Sequence, residues 1–149
     1  MSVTQVSVFV ENRYGRLKEV TEILSGAGIN IIAHALLDTT EFGVLRMIVD
    51  SPEKAVELLK FRGFAVRVNE VTAVLVDDRP GGFDRLLALL ASHEINFSYT
   101  YSIGHTAPGQ AVNIMHFENS EQAGAVLKEK GATLLTLDDL VRFWQIRSQ

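Results

Sequence analysis

The sequence predicts an α+β fold of two tandem βαββαβ units, each with an antiparallel sheet. Three observations predict it. The stretch "ENRYGRL" (11–17) recurs as "DDRPGGF" (77–83), with Arg13, Gly15 and Leu17 answered by Arg79, Gly81 and Phe83, 66 positions on. Within each repeat the hydrophobic period switches between the strand value and the helix value in the same order. No linker separates the repeats, since Asn69-Glu70 leads straight from one to the next.

Each element has its own justification. "VSVFV" (6–10) and its counterpart "TAVLV" (72–76) read as first strands. Leu17, Val20, Leu24 and Ala27 recur at helical spacing, and Phe83, Leu86, Leu90 and His93 repeat them. His93 falls at the helix end, where a polar or cationic group is tolerated. Gly26 and Gly28 punctuate the first helix end. "AGINI" (27–31) and "HEINF" (93–97) open the second strands. In the second repeat Ile95, Phe97, Tyr99, Tyr101 and Ile103 alternate with polar residues, which predicts a half-buried strand. Residues 44–50 and 111–117 read as third strands. "PEKAVELLKFRG" (52–63) and "SEQAGAVLKEKG" (120–131) read as second helices, now at an offset of 68. The two added residues are expected in a longer turn at "GHTAPGQ" (104–110). The result is the split βαβ, ferredoxin-like plan, with both helices on one face of each sheet. The expected boundaries are 1–70 and 71–139, followed by a tail over 140–149. Tight docking of the units is expected.

Composition narrows the class of protein. Of 149 residues 47% are apolar and 21% charged, enough for a packed core and unlike a disordered tail. A net charge of −4 argues against nucleic acid as a partner. The chain has no cysteine, which excludes disulfides and thiolate metal sites and points to the cytoplasm. The N-terminus lacks the pattern of a secretion signal, and no apolar run is long enough to span a bilayer. The expectation is a soluble cytoplasmic protein without membrane contact.

The repeated corner carries the functional expectation. Gly15 and Gly81 each stand between a strand and a helix. A tight turn needing positive φ would by itself justify Gly. The helix that begins there also offers free N–H groups and a positive dipole end to a carboxylate. Asn30 and Asn96 repeat at the start of the second strands. Each is either a turn-forming residue or an amide for a ligand's ammonium or carboxylate. Gly15 and Asn30 lie at opposite ends of one helix, about 18 Å apart for twelve residues. One small ligand could meet both kinds of group only across antiparallel units, pairing Gly15 with Asn96 and Gly81 with Asn30.

On these motifs, and on "FGVLRMIVD" (42–50), residues 3–137 resemble a tandem pair of ACT domains, the small amino-acid-binding regulatory module. The resemblance implies a non-catalytic protein that binds a free amino acid and regulates an enzyme in trans, with no cofactor. It implies one ligand loop of Asn12, Arg13, Tyr14, Gly15, Arg16 and Leu17, opposed by Asn96 and Phe97. The second loop would be Asp78, Arg79, Pro80, Gly81, Gly82 and Phe83, opposed by Asn30 and Ile31. The pattern departs from the family at Tyr14, where Pro is usual, and at Asp78, where the first loop has Asn12. Val10 and Val76 stand where serine-binding versions carry His.

His105 and Ser102 lack an acid to complete a relay. His34 and His116 fall in predicted strands, and no His pair has metal spacing. The adjacent pairs Asp77-Asp78 and Asp138-Asp139 point to different faces. An assembly module without a small ligand is the main alternative, and a small ferredoxin-like hydrolase a further one. Leu137, Leu140, Phe143 and Trp144 form a stripe that either covers the chain's own sheet or meets a partner. Exposed apolar surface near Tyr99, Tyr101 and Trp144 predicts a homodimer.

Overall fold

A computed structural model describes residues 2–37 and 41–147, with side chains except at 104–106 and 147. The chain divides into two compact units at Asn69/Glu70. Both are βαββαβ, and the fold is α+β with antiparallel pairing throughout.

The first unit contains β1 (Val3–Glu11), α1 (Arg16–Gly26), β2 (Ile31–Leu37), β3 (Phe42–Val49) and α2 (Pro52–Phe61). The first residues of β4 (Ala65–Asp77) complete it, giving the order β4-β1-β3-β2. Alternation decides the faces. Val6, Val8 and Val10 of β1 meet Leu45, Met47 and Val49 of β3 in one core beneath Val20 and Leu24 of α1 and Ala55 and Leu59 of α2. A fully buried leucine such as Leu24 contributes about 2 kcal/mol. Pro52 at the first turn of α2 needs no N–H there. On the opposite face Ser7 donates to the Asn69 side chain at 3.3 Å, and Arg67 lies 5.5 Å from the Phe9 ring centre.

The second unit takes the rest of β4, then α3 (Gly82–Ser92), β5 (Phe97–Ala107), β6 (Gln110–Phe117), α4 (Ser120–Glu129) and β7 (Thr133–Leu135). Its order, β7-β4-β6-β5, repeats that of the first. Val74, Leu86, Leu90, Met115, Phe117, Ala123 and Leu127 form its core. His93 caps the C-terminus of α3, its Nδ1 3.0 Å from the Leu89 carbonyl oxygen. A last helix, α5 (Leu137–Arg147), packs against β5, with Leu140 buried. Ser148 and Gln149, the end of the stripe-bearing segment, lie outside the described residues.

Two sequence expectations are corrected. The added residues near 104–110 do not enlarge a turn. β5 runs on to Ala107, 11 residues against seven in β2, and the turn is only Pro108-Gly109, with Gly109 at φ 74°. Extended pairing with β6 satisfies backbone groups that a longer loop would leave to water.

The second correction concerns the alternation over 95–103. The register shifts between Phe97 and Tyr99: Phe97 faces Phe117, but Tyr99 faces His116. This bulge divides the apolar series between two faces. Phe97 stays with the helix-side core. Tyr99 turns to the other face and stacks on His116, ring centres 4.9 Å apart. Thr100, opposite Met115, and Ser102, opposite Asn113, therefore turn toward the helices. The first unit shows the same shift between Ile31 and Ala33, so the bulge is part of the repeat. A bulge re-aims the side chains beyond it.

Candidate functional site

Both corners are built alike. β1 and β4 end in a short loop whose last residue, Gly15 or Gly81, is left-handed at φ 82° or 89°. Each Gly is the N-cap of the following helix, and neither helix has a side-chain cap. A non-glycine residue pays roughly 1–2 kcal/mol for that conformation. The choice of Gly removes the side chain that would otherwise cap the helix. The N-cap glycines themselves offer no side-chain acceptor to the first N–H groups of α1 and α3, whose first turns carry the acidic Glu19 and Asp84.

A hollow opens beside each corner. In the first unit it encloses about 380 Å³ and is lined by Val10, Glu11, Asn12, Arg13, Leu17, Leu36, Leu37 and Gly43. In the second it encloses about 370 Å³, lined by Val76, Asp77, Asp78, Arg79, Phe83, Thr100, Tyr101, Ser102, Ala111 and Asn113. The two occupy matching places in the repeat. Leu17 and Phe83 each project from the first helical turn and stay partly exposed, as walls of the hollow. Asn12, Arg13, Tyr14, Arg16 and Glu19 also line a wider groove beside the first corner.

The charges at each corner pair among themselves. Glu11 meets Arg13 at 2.7 Å, and Arg16 meets Glu19 at 2.6 Å. Asp77 meets Arg79 at 3.2 Å and Arg85 at 3.5 Å. With Asp78 and Asp84, the latter in the first turn of α3, the second corner sets three acids against two cations, where the first sets two against two. Exposed pairs of this kind contribute little to stability.

The remaining sequence-expected residues fall into distinct roles. Gly82 is buried, and a Cβ there would lie 1.9 Å from the Asp77 carbonyl oxygen, so this Gly serves close packing. Arg16 spreads its guanidinium over Phe64, 4.6 Å from the ring centre. Pro80 is exposed in the second loop and Tyr14 fully so in the first. Asn30 is at the far end of α1 from Gly15, in a separate hollow with Gly28, Ile29 and Ile31. Eleven helical residues between them span about 16 Å, so one small molecule cannot touch both. Asn30 exchanges backbone bonds with Asp50, its N–H reaching the Asp50 carboxylate at 3.1 Å. Its amide nitrogen is buried without a hydrogen-bond partner among the described residues. Asn96 is exposed at the start of β5, and Phe97 is half-buried.

Sequence reasoning missed Thr100, Ser102 and Asn113. The bulge that turns them inward leaves no mark in the hydrophobic period. A signal was nevertheless present in the repeat itself: Ser102 stands where the first unit has Leu36, and Asn113 where it has Leu45. His34 is exposed in β2, and the side chain of His105 lies outside the described residues. Among the described residues no cluster suits a metal ion, and no helix is long and apolar enough to cross a membrane.

Two ferredoxin-like units, each with a glycine corner ahead of a helix that has no side-chain cap, make up the chain. The ACT domain pair matches residues 1–143, and the chain belongs to that family. No curated protein matches the sequence. Among solved structures, protein BT0572 from Bacteroides thetaiotaomicron is 36% identical, with a TM-score of 0.89 over 94% of this chain and 96% of that one. The ligand-free regulatory subunit of aspartate kinase from Thermus thermophilus is similar in fold at 16% identity, with a TM-score of 0.64 over 85% of this chain and 91% of that one. The corresponding subunit from Thermus flavus is 15% identical, with a TM-score of 0.60 over 85% and 90%.

Proposed function

We propose that the protein is a non-catalytic regulatory module that binds a free amino acid at its glycine corners. The observation that carries this reading is the doubled corner: a left-handed Gly ahead of a helix with no side-chain cap, beside a hollow of amino-acid size. A carboxylate placed there accepts from backbone N–H groups and meets the positive dipole end. The Asn12–Leu17 and Asp78–Phe83 loops are the proposed ligand loops, Gly82 acting through packing. Asn30 and Asn96, with Ile31 and Phe97, would serve a ligand other than one held at their own helix's corner, since the helix length separates them from it.

Family membership supports the reading, and so does the regulatory role of the aspartate kinase subunits that share the fold. By that analogy, occupancy here is passed to a partner enzyme. Function at the level of fold is analogy, and the corner is what ties it to residues. Exposed Leu36, Leu37 and Phe42 in the first unit favour self-association as part of the same function, with a homodimer the simplest form.

The test is a thermal-shift screen against the standard amino acids. Ligand at one hundred times its Kd adds about 2.7 kcal/mol. A shift that is lost in Gly15→Val or Gly81→Val, where side chains intrude on the corner, supports the reading. No shift with any amino acid overturns it in favour of a pure assembly module.

A further inference from the structure

The two hollows occupy matching places in the repeat but differ in their walls. In the first unit the cross-strand pair beside the corner is Leu36 with Leu45. In the second the corresponding pair is Ser102 with Asn113. Asn113 is only 6% exposed, as buried as its counterpart Leu45 at 4%. A buried amide costs free energy unless hydrogen-bonded. The Asn113 side chain lines the hollow. Thr100 Oγ1, in the same wall, is buried without a hydrogen-bond partner among the described residues. The bulge between Phe97 and Tyr99 aims Thr100 and Ser102 inward, while the matching bulge aims Leu36 at the first hollow. At the matching strand positions the second hollow thus presents Ser102 and Asn113, where the first unit has only the apolar Leu36 and Leu45.

We propose that the second hollow selects an amino acid with a neutral hydrogen-bonding side chain, through Asn113 and Ser102, and that the first selects an aliphatic one. The proposal rests on the reading that the corners bind free amino acids. Neutrality follows from the wall: Asn113, Ser102 and Thr100 carry no formal charge, so they offer a ligand side chain hydrogen bonds and no ion-pair partner. Discrimination falls to the walls. A site built to hydrogen-bond a ligand group rejects the analogue that lacks it, because its own polar groups are then left unpaired.

The experiment is calorimetric titration of the full chain with two sets of probes. L-asparagine, L-glutamine, L-serine and L-threonine form the polar set, and L-valine, L-leucine and L-isoleucine the aliphatic set. Asn113→Leu restores the residue found in the other unit, and Ser102→Ala changes an exposed side chain, so both variants should fold. The expected result is a loss of about tenfold or more for the polar set in Asn113→Leu. The aliphatic set should stay within about twofold. Ser102→Ala should weaken the polar set alone. The ligand-free melting temperature of Asn113→Leu should rise, since an apolar side chain replaces a polar one at a core position; a structural amide would lower it. Unchanged polar-set affinity in both variants overturns the proposal, as does equal loss of both sets, while amino-acid binding itself stands. Wild-type protein that binds neither set overturns the proposal, and the parent reading falls with it only if no other standard amino acid binds.

Discussion

Gly15, Gly81 and Gly82 stand within one loop type, yet each is glycine for a different reason. At Gly15 nothing lies within 4 Å of an added Cβ, so only the backbone conformation opposes a side chain. At Gly81 an added Cβ also meets Arg85 Nη1 at 3.2 Å, a flexible group that can move. At Gly82 it meets backbone, which cannot. Gly15→Ala should therefore cost about 1 kcal/mol. Gly81→Ala should cost about the same or slightly more. Gly82→Ala should cost about 3 kcal/mol, because the strand must shift to admit the methyl. Urea denaturation of the three variants checks the order, and a Gly82→Ala protein as stable as Gly15→Ala would contradict it.

At the scale of elements, α5 shows how a short polar motif secures a segment outside the repeat. Thr136 and Asp139 form a reciprocal cap: Thr136 N–H donates to the Asp139 carboxylate at 2.8 Å, its hydroxyl donates at 2.9 Å, and Asp139 N–H returns a bond to Thr136 Oγ1 at 3.2 Å. The bond from the Thr136 backbone, then that from its side chain, holds the Asp139 carboxyl below the ordinary aspartate range. The pH dependence follows in sign. Because the folded pKa is depressed, the contribution is complete above the unfolded value near ~3.9 and is lost as pH falls through the folded value. Asp139→Ala should destabilise by about 1 kcal/mol at neutral pH. Asp139→Asn should show a smaller drop in urea midpoint between pH 7 and strongly acid solution than wild type. An equal drop would mean that the cap carries no share of the acid sensitivity.

At the same scale, the bulge between Phe97 and Tyr99 determines which side chains reach the second hollow. Periodicity alone assigned Ile95 through Ile103 to one face, and that was right only up to Phe97. A period-2 pattern carries no record of a skipped residue, since the residues on both sides of the skip keep alternating. The repeat supplied what periodicity could not: an Asn and a Ser facing two leucines across the alignment.

For the whole molecule, two predictions concern what it binds. An amino acid at one hundred times its Kd should raise the melting temperature by about 5–10 °C for a chain of this length. Sedimentation at micromolar concentration should show a species heavier than the 16.5 kDa chain, because Leu36, Leu37 and Phe42 are exposed near one another in sequence on β2 and β3. A monomer at all concentrations would assign those residues to the ligand hollow or to solvent alone.

The sequence by itself determined the repeat, the class of fold, the order of elements and the two glycine corners. These are properties of local chemistry: helical and strand periods, a Gly where φ must be positive, and a helix that starts there. Only the tertiary structure decided the walls of the hollows. It set Asn113 at a core position beside the corner, turned Thr100 and Ser102 inward past a bulge, and packed Gly82 against the Asp77 carbonyl. Cross-strand register brings those groups together from β4, β5 and β6, and register is a long-range pairing that no short stretch of sequence encodes.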